Sequence, residues 1–201
     1  FARHWMHVRF LLVEGKKMSK SEGNFYTLRD LLLKGYRASA IRFLLISVPY
    51  RHQMNFTFES LAEPTNAIDR LRTFHQRMLK GGFAEGLNEE IVAATAKAEQ
   101  GYTASLANDL NTAEARAAIF ELVRAANAAA DAGTLRAANV AEILRVLDLF
   151  DGVFAVLEDR DAALTRAALA WAEAEGRLGE AAPELVANLS LGDAEIDALV
   201  A

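Results

Sequence analysis

The sequence predicts a mainly α protein in which a short strand and a polar loop are followed by an antiparallel helical bundle. From about residue 59 onward, apolar residues recur at the three- and four-residue spacing of one helix face. Alanine, which favours helix and permits close helix approach, is abundant in the second half. The connections between these patterns are short, so neighbouring helices are expected to run antiparallel.

The first 35 residues predict one strand, one loop and one short helix. Residues 10–13 form an apolar run, ended by a Glu-Gly pair, that fits a buried strand. Residues 16–24, KKMSKSEGN, are polar and contain glycine, which predicts a loop. Thr27 is expected to cap a helix that Gly35 ends.

Two more helices are predicted, separated by an irregular segment. Ser39 is expected to cap a helix that continues until Pro49, and residues 50–58 are expected to be irregular. A long helix is predicted from about residue 59 to residue 80, followed by two glycines. Its apolar stripe comprises Leu61, Ile68, Leu71, Phe74 and Met78.

The second half predicts a series of amphipathic helices. Asn111 and Asn139, each followed three residues later by glutamate, resemble capping boxes and are expected to begin two of them. Further helices are predicted at about 162–180, at 184–190 and from Asp193. The stripes expected to face the core are Ile91, Thr95, Ala98, Tyr102 and Leu106 in one helix, Ala115, Ile119, Leu122 and Ala126 in the next, and Ile143, Leu147, Phe150 and Phe154 in a third.

The composition excludes several classes of protein. With 52% hydrophobic and 24% charged residues, the chain is typical of folded globular proteins rather than of disordered ones. No apolar run approaches the length of a membrane span, and no signal peptide is evident. The 201 residues include no cysteine, which rules out disulfides and cysteine-ligated zinc within the chain. A cytoplasmic location is therefore expected.

Charge is distributed unevenly along the chain. Residues 1–80 contain 14 basic and 6 acidic side chains, which leaves 8 basic and 21 acidic ones for the remainder. A basic region is the usual electrostatic signature of phosphate binding, either to a nucleotide or to a nucleic acid. Chance clustering of solvated charges is the alternative interpretation.

The segment Lys17-Met18-Ser19-Lys20-Ser21 carries the strongest chemical signal. Two ammonium groups three residues apart on a mobile loop can reach the same triphosphate. Such charge is needed where negative charge builds up on a leaving pyrophosphate. The two serines can orient the loop through hydrogen bonds, and Gly23 allows it to close. Two nearby lysines more often belong to an exposed basic loop without a binding function. The exact sequence of the segment and of its flanks is therefore needed to distinguish such a loop from a phosphate-binding one.

Spelled KMSKS, after an apolar strand and before Gly-Asn, the segment resembles the second signature of class I aminoacyl-tRNA synthetases, which binds ATP in that family. The flanks, which read WMH, FLLVEG and KMSKSEGNFYTLRDLLLKGY, resemble cysteinyl-tRNA synthetases in particular. So do the continuation ASAIRFLLISVPYRHQMNFTFESL and the later stretch NDLNTAEA. The resemblance is close to about residue 80, moderate to about 155 and weak beyond.

The resemblance implies a division of the chain and an activity. Residues 1–27 would be the end of a class I Rossmann-type catalytic domain with its KMSKS loop. Residues 28–80 would be a stem-contact region, and residues 81–201 a helical bundle on the anticodon side. The family activates cysteine with ATP and Mg²⁺ and transfers it to tRNA(Cys).

The same resemblance assigns roles to individual residues. Lys20 would contact the ATP phosphates with help from Lys17, which makes these two the catalytic candidates, and Met18, Ser19 and Ser21 would complete the ATP-binding loop. Candidates for contact with the tRNA backbone are Arg37, Arg42, Arg51 and His52. Solvation or intramolecular pairing is the alternative for each of these four residues.

Departures from the family pattern limit what this chain is expected to do alone. The first ATP signature, HIGH, and the family's zinc ligands are absent, so zinc is expected in the longer parent enzyme and no metal site in this chain. The chain begins with Phe1 rather than methionine, which suggests a fragment of something longer. Because parts of the family's catalytic site are missing, the chain is expected to be inactive by itself. Glu22 stands where the family more often has leucine, and Ala113 where it has proline.

Two other functions remain open at this point. A related enzyme of mycothiol synthesis joins cysteine to an amino sugar, uses the same loop and needs no tRNA. The chain could also be a non-catalytic helical binding module that retains the loop as a relic. A HIGH-like stretch and zinc ligands upstream in the gene would favour an enzyme over the binding module.

Overall fold

The computed structural model describes residues 3–188, in which a small three-stranded sheet is followed by a set of packed helices. The strands are β1 (Leu11–Val13), β2 (Lys16–Lys17) and β3 (Met54–Phe56). The helices are α1 (Leu28–Leu33), α2 (Ala38–Leu45), α3 (Ala62–Lys80), α4 (Glu89–Ala107), α5 (Thr112–Asp131), α6 (Ala137–Phe154), α7 (Asp161–Ala174) and α8 (Pro183–Asn188). The mainly α fold class is therefore confirmed, and the helix predicted from Asp193 lies outside the described residues.

The sheet has the strand order β2-β1-β3. β1 and β2 form an antiparallel hairpin in which Leu12 lies opposite Lys17. β1 and β3 are parallel, with Leu12 opposite Asn55. Parallel strands require a crossover connection, which α1 and α2 supply here. The prediction that residues 50–58 are irregular was wrong for β3, whose hydrogen-bonding partner lies about 40 residues earlier in the chain.

The short helix α1 begins as predicted. The Thr27 hydroxyl accepts a hydrogen bond from the Asp30 backbone N–H at 3.2 Å, and the Asp30 carboxylate accepts one from the Thr27 N–H at 2.7 Å. This reciprocal capping box satisfies two N–H groups that the first helical turn leaves free. The chain leaves the helix through Gly35, whose φ of +89° is in the left-handed region that favours glycine.

The start and end of α2 differ from the prediction. Arg37, not Ser39, occupies the N-cap position, and it makes no side-chain capping bond. Ser39 is buried in the first turn, where its N–H donates to Asp161 at 2.8 Å. The cap therefore comes from a carboxylate 122 residues away, which local sequence patterns cannot reveal. The helix ends at Leu45, and Ser47 Oγ donates to the Leu44 carbonyl there, before Pro49 is reached.

The predicted apolar stripes form the core of the helical part. All the stripe residues of α3, α5 and α6 are buried, and in α4 only Leu106 is partly exposed. Asn111 caps α5 as predicted, by accepting a bond from the Glu114 N–H. Asn139 is not the N-cap of α6, which begins two residues earlier. Its side-chain oxygen accepts from the N–H of the N-cap residue Arg136 at 3.3 Å, and its buried amide also bonds the backbone of Asn88, with distances of 3.0 Å in both directions.

The chain after α6 folds back onto the first helices. α7 packs against α1 and α2, and the Ala182 N–H donates to the Leu33 carbonyl at 2.7 Å. α7 ends at Ala174 rather than near residue 180. Among residues 3–188, no helix is both long and apolar enough to cross a bilayer.

Candidate functional site

The KMSKS segment begins in a hairpin that is fixed to its neighbouring strand. Glu14 and Gly15 connect β1 to β2 with φ angles of +51° and +75°, the pair of left-handed residues typical of a two-residue hairpin turn. The Gly15 N–H donates to the Asn55 side chain at 2.8 Å, and the Glu14 carboxylate accepts from the Phe58 N–H at 3.3 Å. Both ends of the turn are thus anchored to β3 or to the segment that follows it.

Beyond β2 the loop closes on itself. The Asn24 side chain accepts from the Ser19 N–H at 2.8 Å and donates to the Lys17 carbonyl at 3.1 Å. The hydroxyls of Ser19 and Ser21 are 2.8 Å apart, which confirms that the two serines can bond within the loop. Met18 is partly buried and packs against the core. The predicted ATP-binding residues therefore extend from Lys17, at the end of β2, through the closed turn that contains Ser19, Lys20 and Ser21.

The two lysines of the motif each lie against an aromatic ring beside the loop. Lys17 Nζ is 4.8 Å from the centroid of Phe10, and Lys20 Nζ is 5.3 Å from that of Phe25. The rings are 68% and 41% exposed. Cation–π contacts at such exposed sites are worth about 0.5–1 kcal/mol. Both ammonium groups are thus available to an anion at a small energetic cost.

A shallow depression of about 450 Å³ adjoins the loop. It is lined by Lys16, Lys17, Ser19 and Glu22. Lys20 and Ser21 do not line it, so the structure does not bring all the predicted loop residues around one concavity. The Glu22 carboxylate adds a negative charge to the rim of a depression that is otherwise suited to phosphates.

Three of the four residues proposed for RNA contact have partners within the chain. Arg37 pairs with Asp69 at 2.7 Å and with Asp161 at 3.2 Å. Arg42 donates to two backbone carbonyls at the end of α6, at 2.6 and 2.9 Å. His52, the fourth candidate, is exposed. Because Arg37 and Arg42 are held by intramolecular bonds, contact with RNA would compete with those bonds.

Arg51, the third engaged candidate, stabilises an unusual turn between α4 and α5. Its guanidinium contacts the Asp109 carboxylate at 2.5 and 3.1 Å, and the Tyr50 hydroxyl donates to the same carboxylate at 2.6 Å. These bonds from Arg51 and Tyr50 lower the pKa of Asp109 to about 2. Asp109 and Leu110 have φ angles of +57° and +55°, which are rare for residues other than glycine. The cluster therefore supports a strained backbone.

Asp161, at the start of α7, is a buried carboxylate at the centre of a polar network. Its carboxylate accepts from the Ser39 N–H and hydroxyl at 2.8 and 2.6 Å, from Arg37 at 3.2 Å and from Arg72 at 3.0 Å. Burial by itself would raise the pKa of Asp161, but the bonds from Ser39, Arg72 and Arg37 outweigh burial and hold the pKa below its ordinary value. This network joins α2, α3 and α7.

The histidines do not form a metal site in the described part of the chain. Within residues 3–188, no three or more His, Cys, Asp or Glu side chains are grouped so that they could hold a metal ion. The zinc that the sequence resemblance implies for the longer enzyme therefore has no candidate ligands in these residues.

Comparisons with known proteins agree with these features. Residues 1–66 match the family described as the tRNA synthetases class I (C) catalytic domain, and residues 101–158 match the DALR domain. The chain is 50% identical over 204 residues to a cysteine–tRNA ligase of Koribacter versatilis, an alignment that covers 100% of this chain and 41% of that protein. It is 51% identical over 158 residues to a cysteine–tRNA ligase of Solibacter usitatus, covering 79% and 34% respectively. A third such ligase, from Chlamydia felis, is 40% identical over 160 residues.

A KMSKS hairpin at the edge of a sheet, within a segment that matches the catalytic domain, places this chain among the class I aminoacyl-tRNA synthetases. Within this class it belongs with the cysteine–tRNA ligases, since it is similar to one of them along its whole length and to another over 79% of its length. The resemblance noted in the sequence is thus confirmed. The chain spans about two fifths or less of the length of these relatives, 41% of one and 34% of another.

Proposed function

We propose that this chain acts as part of a cytoplasmic cysteine–tRNA ligase, supplying the loop that binds the ATP phosphates and helices that contact tRNA(Cys). In this proposal residues 1–27 end the catalytic domain, residues 28–80 form the stem-contact region and residues 81–201 form the helical bundle. The proposal is supported by whole-length similarity to one protein of that name and by the geometry of the loop. The observation that carries it is the placement of two exposed lysines, with Lys17 at the end of β2 and Lys20 in the adjoining turn that the Asn24 side chain closes.

The chemistry follows from what the lysines can do. In the first step the carboxylate oxygen of cysteine attacks the α-phosphorus of ATP, the bond to the bridging oxygen breaks, and pyrophosphate leaves. A hydroxyl of the terminal ribose of the tRNA then attacks the cysteinyl carbonyl of the adenylate, which forms the ester and releases AMP and the hydroxyl proton. Negative charge accumulates on the leaving pyrophosphate, which Mg²⁺ and the ammonium groups of Lys20 and Lys17 would neutralise. The role of Lys20 therefore lies chiefly in the first step.

Contacts with tRNA are proposed for the basic region, at Arg37, Arg42, Arg51 and His52. Arg51 is more accessible than Arg37, because the side chain of Arg51 is 65% exposed while that of Arg37 is 27% exposed. Phosphate contacts release counterions, so tRNA binding should weaken steeply as salt is raised. Binding that does not change between about 50 and 200 mM salt would contradict a phosphate-contacting surface.

The test is cysteine-dependent ATP–pyrophosphate exchange by the full-length gene product that contains these residues, with serine as the amino-acid control. Lys20→Ala should lower the exchange rate by about 10²- to 10³-fold, as expected for loss of a preorganised charge. Lys97→Ala is the matched control, since Lys97 is an exposed lysine on α4 that pairs with Glu121. Lys97→Ala should leave the rate unchanged.

The same assay separates the proposal from its alternatives. Exchange followed by cysteine transfer to tRNA supports the ligase. Exchange with transfer to an amino sugar would replace it with the mycothiol-type enzyme, and no exchange at all would leave a helical binding module. A Lys20→Ala protein that exchanges at the wild-type rate would remove the loop from the mechanism.

A further inference from the structure

The side chain of Asn24 closes the KMSKS loop by bonding two backbone groups on either side of Met18. Its Oδ1 accepts from the Ser19 N–H at 2.8 Å, and its Nδ2 donates to the Lys17 carbonyl at 3.1 Å. Asn24 is half-buried, whereas its neighbours Gly23 and Phe25 are exposed. The side chain thus turns inward and ties the end of the loop to its beginning.

The other bonds within the loop are weaker constraints. The Gly23 N–H donates to the Lys20 carbonyl at 3.3 Å, and the contact between the hydroxyls of Ser19 and Ser21 is exposed to solvent. Neither of these bonds connects the loop to β2. Lys17 is also held opposite Leu12 by the β1–β2 pairing, and the Met18 N–H donates to the Leu11 carbonyl at 3.5 Å. The Asn24 amide is therefore the main side-chain constraint on the backbone of Ser19, which it ties to the end of β2.

The chemistry of the amide explains why asparagine suits this position. A carboxamide carries one acceptor and one donor on a short planar group, so it can bond an N–H and a carbonyl at once. Aspartate has the same shape, but as a carboxylate it accepts only and would face the Lys17 carbonyl with a negative charge. Alanine offers neither bond. The two observed bonds thus use both functions of the side chain.

We propose that Asn24 is a positioning residue, which holds the loop in the shape that presents Lys17 and Lys20 to the phosphates of ATP. Asn24 itself does not touch the reacting atoms in this proposal and acts through the backbone on either side of Met18. The inference rests on the proposed function, because both assume that the loop binds ATP. It adds a residue outside the KMSKS motif to the machinery of that site.

The first measurement is the kinetics of ATP–pyrophosphate exchange by the full-length protein with Asn24→Ala. Misplacing a catalytic group by about 1 Å can cost about 10²-fold, so we expect kcat to fall by about 10- to 100-fold. The KM for ATP should change less than kcat, because the lysines remain present and only their placement for the transition state is lost. A rise in KM with kcat unchanged would overturn the proposal.

The second measurement is hydrogen–deuterium exchange of the peptide spanning residues 16–24, without nucleotide, which needs no activity. Loss of one hydrogen bond should accelerate exchange of the Ser19 amide by about 2- to 10-fold in Asn24→Ala. In Asn24→Asp the acceptor is kept, so the Ser19 amide should stay protected while kcat still falls. Unchanged exchange in Asn24→Ala would overturn the proposal.

Asn88→Ala is the matched control, because this side chain also accepts from backbone N–H groups and donates to a carbonyl, at the start of α4. It should leave kcat unchanged even where it lowers thermal stability. An equal fall in kcat for Asn88→Ala and Asn24→Ala would mean general destabilisation and would overturn the proposal. If the wild type shows no cysteine-dependent exchange, the proposed function fails, and the deuterium experiment still decides whether Asn24 braces the loop.

Discussion

Replacing Asp161 with alanine is expected to lower the free energy of unfolding by about 3 kcal/mol. The carboxylate is 10% exposed and bonds Ser39, Arg37 and Arg72. Alanine would leave the first turn of α2 without its cap and Arg72, whose side chain is 12% exposed, without its buried partner. These two losses set the magnitude.

Loss of a helix cap costs about 1 kcal/mol. Leaving one member of a buried ion pair alone costs about 3–5 kcal/mol when nothing else compensates. In the variant, Arg72 would still pair with Asp159 at 3.1 Å and donate to the backbone carbonyls of Val156 and Glu158. Because these bonds compensate in part, we expect the loss of the Asp161 partner to cost about 2 kcal/mol. The sum of the two losses is the expected destabilisation.

Urea unfolding followed by circular dichroism measures the effect. With a denaturant slope of about 2 kcal/mol per molar, the midpoint should fall by about 1.5 M. Asp69→Ala is the control, because Asp69 pairs with Arg37 from a site that is 54% exposed and should contribute less than about 1 kcal/mol. A shift for Asp161→Ala no larger than that for Asp69→Ala would refute the reasoning.

The pH dependence provides an independent check on the same carboxylate. Its pKa is lower in the folded chain than in the unfolded one, so its contribution is complete above the unfolded pKa of about 3.9 and is lost as the pH falls through the folded value. The difference in stability between wild type and Asp161→Ala should therefore shrink below about pH 4. An equal difference at about pH 3 and about pH 7 would contradict the shift.

Three further predictions concern the helical part. A Cβ at Gly101 would lie 3.2 Å from the Cβ of Ala118, so Gly101→Val should overpack the α4–α5 contact and lower stability by about 1–3 kcal/mol in a thermal melt, with Gly101→Ala as the milder control. Arg51→Ala should raise the pKa of Asp109 from about 2 towards its ordinary range, as followed by carboxyl NMR, and an unchanged pKa would mean that the pair is not formed in solution. Burial raises the pKa of Tyr102 to about 12, so Tyr102→Phe should remove the tyrosine that titrates last in an alkaline absorbance titration. The substitution should also lower stability by about 1 kcal/mol, and loss of a tyrosine that titrates earlier would refute the assignment.

Features decided by neighbours in sequence were predictable. The capping box of Thr27 and the cap of Asn111 depend on residues three positions apart, and the stripes on α3, α5 and α6 depend on helical periodicity. The KMSKS segment was identifiable from its wording, and the comparisons confirm the family it indicated. The roles of its individual residues stay predictions.

Features decided by distant residues were not predictable. β3 is a strand only because β1 lies beside it, and Asn139 is drawn into the first turn of α6 by bonds with Asn88. Serine is a residue type that often caps helices, but the Ser39 N–H itself donates to the Asp161 carboxylate. In each case the deciding partner lies about 40 to 120 residues away, beyond the reach of any local pattern.

The uneven charge along the sequence also has a structural explanation. Arginines of the basic first 80 residues, including Arg37, Arg51 and Arg72, pair with carboxylates of the acidic remainder. The two regions are thus partly each other's electrostatic partners. Charge counts alone suggested phosphate binding, because they carry no information on which arginines are already satisfied within the fold.

The distance between α2 and its capping carboxylate also affects how the chain is made. Ser39 and Asp161 are separated by 122 residues. At about 5–20 residues per second, α2 emerges from the ribosome roughly 6–24 s before its cap has been synthesised. The bond from the Ala182 N–H to the Leu33 carbonyl imposes a similar delay on α1. The earliest helices of the nascent chain therefore reach their final packing only after Asp161 and Ala182 have been translated.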